Sequence, residues 1–105
     1  MQFFPLTKEN IGRTITKVRT ARNVSQGCLA KTTGITQGYL SRIETGSRMP
    51  SFAVLNRIAR RLDLPTEALI LLATDPAYFS IQSGGSGEAL GVLTKFIVKM
   101  YRLES

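Results

Sequence analysis

Histidine and tryptophan are absent from this 105-residue chain, and cysteine occurs once. Without an imidazole, the usual general base at neutral pH is missing. One thiol, Cys28, excludes an intrachain disulfide framework and points to a reducing compartment. No group of Cys, His or carboxylates has metal-ligand spacing, and no glycine loop is of the phosphate-cradling kind. Neither metal nor cofactor is expected, and nothing argues for an enzyme. No uncharged run is long enough to span a bilayer. The opening MQFFPL lacks the basic flank and apolar stretch of a secretory signal. A cytoplasmic protein with no membrane partner is the expectation.

Acidic residues are also scarce, with 7 Asp and Glu against 14 Lys and Arg, for a net charge of +7. That balance favours a polyanionic partner, nucleic acid before a membrane surface. The apolar share of 43% suffices for one compact core, although a domain this small often leans on a second subunit.

The pattern predicts five short helices, a break and a sixth helix, an all-α class. Helix one covers Glu9 to Arg22, with Thr7 as N-cap and Ile11, Ile15 and Val18 on one face. Ser25 starts helix two, which carries Leu29 and Ala30 inward, and Gly34 supplies the left-handed turn that ends it. Helix three starts after Thr36 and is closed by Gly46. Pro50 and Ser51 open helix four, whose Leu55, Ile58, Ala59 and Leu62 form one stripe. Helix five runs from Thr66 to Ala73 and stops at Asp75-Pro76. Residues Ala77 to Gly87 read as a linker, with a short strand conceivable at Phe79 and Ile81, and the last helix spans Glu88 to Leu103.

Within a window that starts at Gln26, Ala30 is the fifth residue, Gly34 the ninth, Ile35 the tenth, Leu40 the fifteenth and Ile43 the eighteenth. Two helices crossing steeply through a short turn need a small residue at the crossing and a permissive one in the turn. Apolar plugs must then fill the angle between them. These residues meet each requirement, which makes the segment a helix-turn-helix.

The stretch KVRTARNVSQGCLAKTTGITQGYLSRIETGSRMPSFAVLNRIARRLDLPTEAL resembles the Cro/repressor family (XRE-type, lambda-repressor-like) of DNA-binding domains over about residues 8 to 73. The phrases YLSRIETG and MPS carry the likeness most closely. Gly27 and Gly38 depart from it, since the family usually has longer polar residues there, and each helical glycine costs roughly 1 kcal/mol relative to alanine. The resemblance implies a five-helix DNA-binding domain, residues 1–76, followed by a linker and an amphipathic helix, residues 77–105.

Helix three has two sides. Tyr39, Leu40 and Ile43 form an inner one; Gln37, Gly38, Ser41, Arg42 and Thr45 form the other. A solvated helix face is usually filled with Lys and Glu, but this one has a single Arg and no acid. Short hydrogen-bonding groups with an arginine suit base edges in the major groove. Gln37, Gly38, Ser41 and Arg42 are therefore the expected base readers. Gln26 resembles the family's phosphate clamp, and Thr36, Thr45, Ser47 and Arg48 are expected on the DNA backbone. The resemblance also sets Arg19 of helix one opposite Glu44, as an ion pair locking the two helices. Cys28 is expected to be an incidental reduced thiol.

The last helix is apolar over most of its circumference, and so needs several neighbours or a second chain. A homodimer is expected, with Leu93, Phe96, Ile97, Met100 and Tyr101 in the contact. A twofold pair of recognition helices fits a palindromic operator with half-sites roughly 34 Å apart. The resulting expectation is a transcription regulator, most often a repressor in this family, whose partner is double-stranded DNA. Two alternatives stand beside it: an antitoxin-like module that binds a partner protein, and the controller protein of a restriction–modification system.

Overall fold

Four hydroxyl side chains start four helices. Thr7, Ser25, Thr36 and Ser51 sit in extended backbone, and each accepts a hydrogen bond from the amide three residues on, at 3.1, 3.0, 3.1 and 3.2 Å. Each thereby satisfies an amide that the helix itself leaves unpaired. The computed structural model of the chain describes residues 5–75, 78 and 91–103. In chain order these form α1 Lys8–Ala21, α2 Gln26–Thr33, α3 Gln37–Glu44, α4 Phe52–Arg61, α5 Thr66–Ala73 and α6 Val92–Met100. No strand occurs among the described residues. The all-helical, lambda-repressor-like arrangement is the one the sequence led us to expect. The expected linker Ala77 to Gly87, the conceivable strand at Phe79 and Ile81 and the start of the last helix at Glu88 lie outside the described residues, Tyr78 apart.

The helix ends share a device, of which the sequence marks only the two glycines, Gly34 and Gly46. Asn23, Gly34, Gly46, Asp63 and Arg102 all have left-handed backbone, with φ between 56° and 83°. After each, the next amide reaches back to a carbonyl five residues earlier: Val24 to Arg19, Ile35 to Ala30, Ser47 to Arg42, Leu64 to Ala59 and Leu103 to Val98, at 2.9–3.1 Å. In four of the five the residue after the turn is apolar and folds back on the helix, which seals the end. The exception is α3, where that residue is the exposed Ser47.

One core runs through all six helices. Ile11, Ile15 and Val18 of α1 meet Leu29 and Ala30 of α2, Leu40 and Ile43 of α3, the α4 stripe from Val54 to Leu62, and Leu69 and Leu72 of α5. Tyr78, Ile97, Val98 and Leu103 join the same cluster, so α6 is part of this body. At its tightest point the core has no side chain. A Cβ on Gly12 would stand 2.3 Å from the Ile43 carbonyl oxygen and 2.8 Å from that of Glu44. Helix α1 thus touches the backbone of α3 at its last turn, which sets the depth and tilt of α3.

Candidate nucleic-acid interface

Helix α3 places Leu40 and Ile43 in the core and turns Gln37, Gly38, Arg42 and Thr45 to solvent, with Ser41 half-buried beside them. Nothing lies within 4 Å of the point where a Cβ on Gly38 would stand, so the helix surface there is bare. Gln37 leans over the neighbouring helix: its amide nitrogen is 3.5 Å from Gln26 Oε1. A Cβ at Gly27 would lie 3.4 Å from Gln37 Oε1, so the glycine leaves room for that side chain.

Below this surface, Glu44 ties three helices together. Its carboxylate accepts from Arg19 Nε at 2.8 Å and Arg19 Nη2 at 3.0 Å. Thr16 Oγ1 donates to it at 3.1 Å and Gln26 Nε2 at 3.2 Å. Arg19 Nη1 also donates to the Val24 carbonyl at 2.9 Å. A two-pronged guanidinium–carboxylate contact fixes orientation as well as distance, and it holds α1 and α2 against the end of α3. The Glu44 side chain is 5% exposed and that of Arg19 17%.

The loop after α3 folds back on it. Thr45 Oγ1 and Ser47 Oγ both reach the Arg42 carbonyl at 3.2 Å, and the amide of Arg48 reaches it at 3.1 Å. The Arg48 guanidinium is exposed, 5.5 Å from the centre of the Tyr39 ring. From Ser25 to Leu62 the only acidic residue is Glu44, against Lys31, Arg42, Arg48, Arg57, Arg60 and Arg61. Since that one acid is buried against Arg19, the outward face of the segment is cationic.

Some of the expected site residues are engaged within the protein itself. Thr36 caps α3 with its hydroxyl oxygen, which leaves the hydroxyl proton free to donate elsewhere. Gln26 is drawn inward by Glu44, and its side chain bridges α3 and the ion pair. On α6, Val92, Leu93, Phe96 and Met100 are 80%, 59%, 57% and 54% exposed and make a strip along one side of the helix. Ile97, by contrast, is buried in the protein's own core, and Tyr101 packs partly against it. Sequence reasoning missed Gly12 and Thr16. A glycine between the core residues Ile11 and Ile15 was the available signal, since a glycine inside a helix usually has a packing reason.

Lys17 and Tyr78 form a further contact behind α1. The ammonium lies 4.2 Å from the centre of the tyrosine ring and donates to the Tyr78 carbonyl. Burial pushes the phenol above its ordinary range and lowers the lysine from its own.

This geometry agrees with the comparisons to known proteins. The HTH_3 helix-turn-helix family matches residues 15–69, more than half of the chain, and the chain belongs to it. Over 62 residues it is 39% identical to the uncharacterised HTH-type transcriptional regulator Rv0474 of Mycobacterium tuberculosis, covering 59% of this chain and 44% of that protein. Mb0023 of Mycobacterium bovis, described in the same words, is 33% identical over 73 residues, 68% of this chain and 28% of its own length. The chain thus spans less than half the length of the curated relatives it matches. Among solved structures, the restriction-modification controller protein C.AhdI from Aeromonas hydrophila superposes with a TM-score of 0.57 at 29% identity, over 59% of this chain and 94% of that one. The clp gene regulator ClgR from Corynebacterium glutamicum shares the fold, with a TM-score of 0.65 at 24% identity over 76% and 83% of the two chains. Among the described residues no helix is long and apolar enough to cross a membrane.

Proposed function

We propose that this protein is a sequence-specific DNA-binding regulator of transcription, a repressor that acts without chemistry as a cytoplasmic homodimer on a palindromic operator. One observation carries the reading. The outward face of α3 offers Gln37, Gly38, Ser41 and Arg42 with no carboxylate among them. The nearest acid, Glu44, is buried in the ion pair beneath. In this reading α3 lies in the major groove, where an arginine pairs with guanine and a glutamine with adenine. Thr36, Thr45, Ser47 and Arg48 hold the adjoining phosphates. Gln26 contributes its backbone amide in the first turn of α2, since its side chain is already engaged by Glu44.

Residues 1–76 form the DNA-binding unit and residues 77–105 the dimerisation element. The exposed strip of Leu93, Phe96 and Met100 supports this assignment, because apolar side chains aligned on one helix face gain by burial against a second copy. Ile97 and Tyr101 act from behind, by seating α6 on its own body.

Selection of sites from a random duplex library at about 150 mM salt tests the proposal, because non-specific attraction is already weak there. An enriched palindrome is expected. Binding without a motif that vanishes with salt would overturn it. The C.AhdI likeness supports a second reading as a restriction–modification controller, and the α6 strip supports a third, an antitoxin-like module. Co-purification of a distinct protein on α6 would favour the third.

A further inference from the structure

A second cationic surface lies around the corner from the reading face. On α2, Gly27 faces Gln37 of α3, whereas Cys28 faces α4, with its sulfur 3.6 Å from Arg61 Nη2. Successive residues of a helix point about 100° apart, so α3 and α4 flank α2 on different sides. Along the α4 side, Arg57 lies 3.7 Å from where a Cβ on Gly34 would stand, at the other end of α2. Between these points Lys31 is exposed, and Arg60 is exposed next to Arg61. Arg57 and Arg61 are four residues apart and share a helix face. The result is a one-sign ridge of four cations, with Arg57 and Arg61 along the groove between α2 and α4 and Lys31 and Arg60 exposed on the helices that border it.

None of the four forms an ion pair among the described residues, and neither helix contains an acid. The nearest carboxylates in sequence, Asp63 and Glu67, come after the end of α4. An ordinary solvated surface mixes both signs, because like charges on one face repel. A one-sign ridge is unfavourable to the free protein and favourable only beside a polyanion. Its near end, Arg61, sits at the first turn of α2, where Gln26 meets the DNA backbone in the function proposed above. A duplex lying against α3 and the start of α2 has its next phosphates on that side.

We propose that the α2–α4 ridge holds the phosphate backbone of duplex DNA beyond the half-site that α3 reads, so that each subunit covers a longer track than its base contacts require. The proposal rests on the DNA-binding reading, and the test separates the two. A site obtained by selection is placed in two duplexes, one trimmed to the site and one extended by about one helical turn, ~10 base pairs, on each side. The wild-type protein is expected to bind the extended duplex about ten-fold or more tighter at ~150 mM salt. Its salt dependence there should be steeper by about 2 to 3 in log–log slope, from ~0.9 per phosphate.

The triple variant Arg57→Gln, Arg60→Gln, Arg61→Gln should lose that difference, bind the trimmed duplex as before and select the same motif. The variant with Lys at the same three positions should keep the difference, since phosphate attraction needs the charge and not the fork. Equal affinity and slope for the wild-type protein on both duplexes overturns the ridge, whatever the glutamine variant does, and leaves the reading face intact. A wild-type protein that selects no motif and holds neither duplex overturns the DNA-binding reading itself, and the ridge with it.

Discussion

Replacing Glu44 with alanine removes the acceptor on which α1, α2 and α3 converge. Four donor contacts end at this carboxylate, two from Arg19 and one each from Thr16 and Gln26. With 5% exposure at Glu44, water cannot restore those bonds without opening the helix contact. Arg19 is left as a largely enclosed cation whose remaining bond among the described residues goes to the Val24 carbonyl. Breaking a buried pair by deleting one partner costs about 3–5 kcal/mol. The 17% exposure of Arg19 admits some solvent and puts the expected loss near the lower end, about 3 kcal/mol. At about 4–8 °C per kcal/mol for a domain of this size, the melting temperature should fall by roughly 12–24 °C. Glu44→Gln keeps the shape and one acceptor, and should fall between. The double variant Arg19→Met, Glu44→Leu should be less damaging than the sum of its parts, because no charge is left behind. Calorimetry and urea melts on wild type, the two Glu44 variants, the double variant and its single parts Arg19→Met and Glu44→Leu measure this. If Glu44→Ala stays within about 0.5 kcal/mol of wild type, the level of a neutral surface change, the network does not hold α3 in place.

Gly12→Ala forces a methyl against two backbone carbonyls of α3 and should destabilise by at least about 1–3 kcal/mol in urea melts, despite alanine's better helix propensity. A more stable variant would mean that the two helices separate freely. Arg42→Ala should cost about 1–3 kcal/mol at one base pair and relax preference there, whereas Arg48→Ala should weaken all sites alike, as read from binding to single-substituted operators. Phe96→Glu places a charge in the exposed α6 strip and should leave a folded monomer in sedimentation equilibrium; an unchanged dimer would move the interface elsewhere. Above pH 10, stability should fall. Tyr78 stays neutral in the folded protein but ionises in the unfolded chain near its ordinary 10.0, so stability held below that pH is lost above it. Lys17 acts in the opposite sense: its pKa is lowered on folding, so stability rises slightly with pH towards 10.5. The melting temperature should therefore pass through a shallow maximum near pH 10, and a steady rise beyond it would contradict the burial of the phenol.

Local patterns in the chain already determined the helix starts, the stripes and the two sides of α3. Each of these depends on residues a few positions apart. A hydroxyl at Ser25 or Thr36 caps the amide three residues later, and Leu40 and Ile43 share a face whatever they pack against. The helix-turn-helix was legible for the same reason, since Ala30, Gly34 and Ile35 answer the steric needs of one short turn. Pairing Arg19 with Glu44 required the family resemblance, as no local rule brings together residues 25 apart.

The tertiary structure decided what depends on distance between segments. The bare backbone of Gly12 against α3 cannot be read without knowing which turn of which helix it meets. Gln26 was expected as a phosphate clamp, and only the convergence of three helices shows that its side chain also reaches Glu44. On α6 the apolar arc was plain in the sequence. Only packing against α5 and the core separated Ile97 and Val98, which turn inward, from Leu93, Phe96 and Met100, which stay in water. An apolar residue lowers its free energy against any apolar neighbour. Composition therefore says that such a face must be covered, and the three-dimensional arrangement alone says which part the protein covers itself.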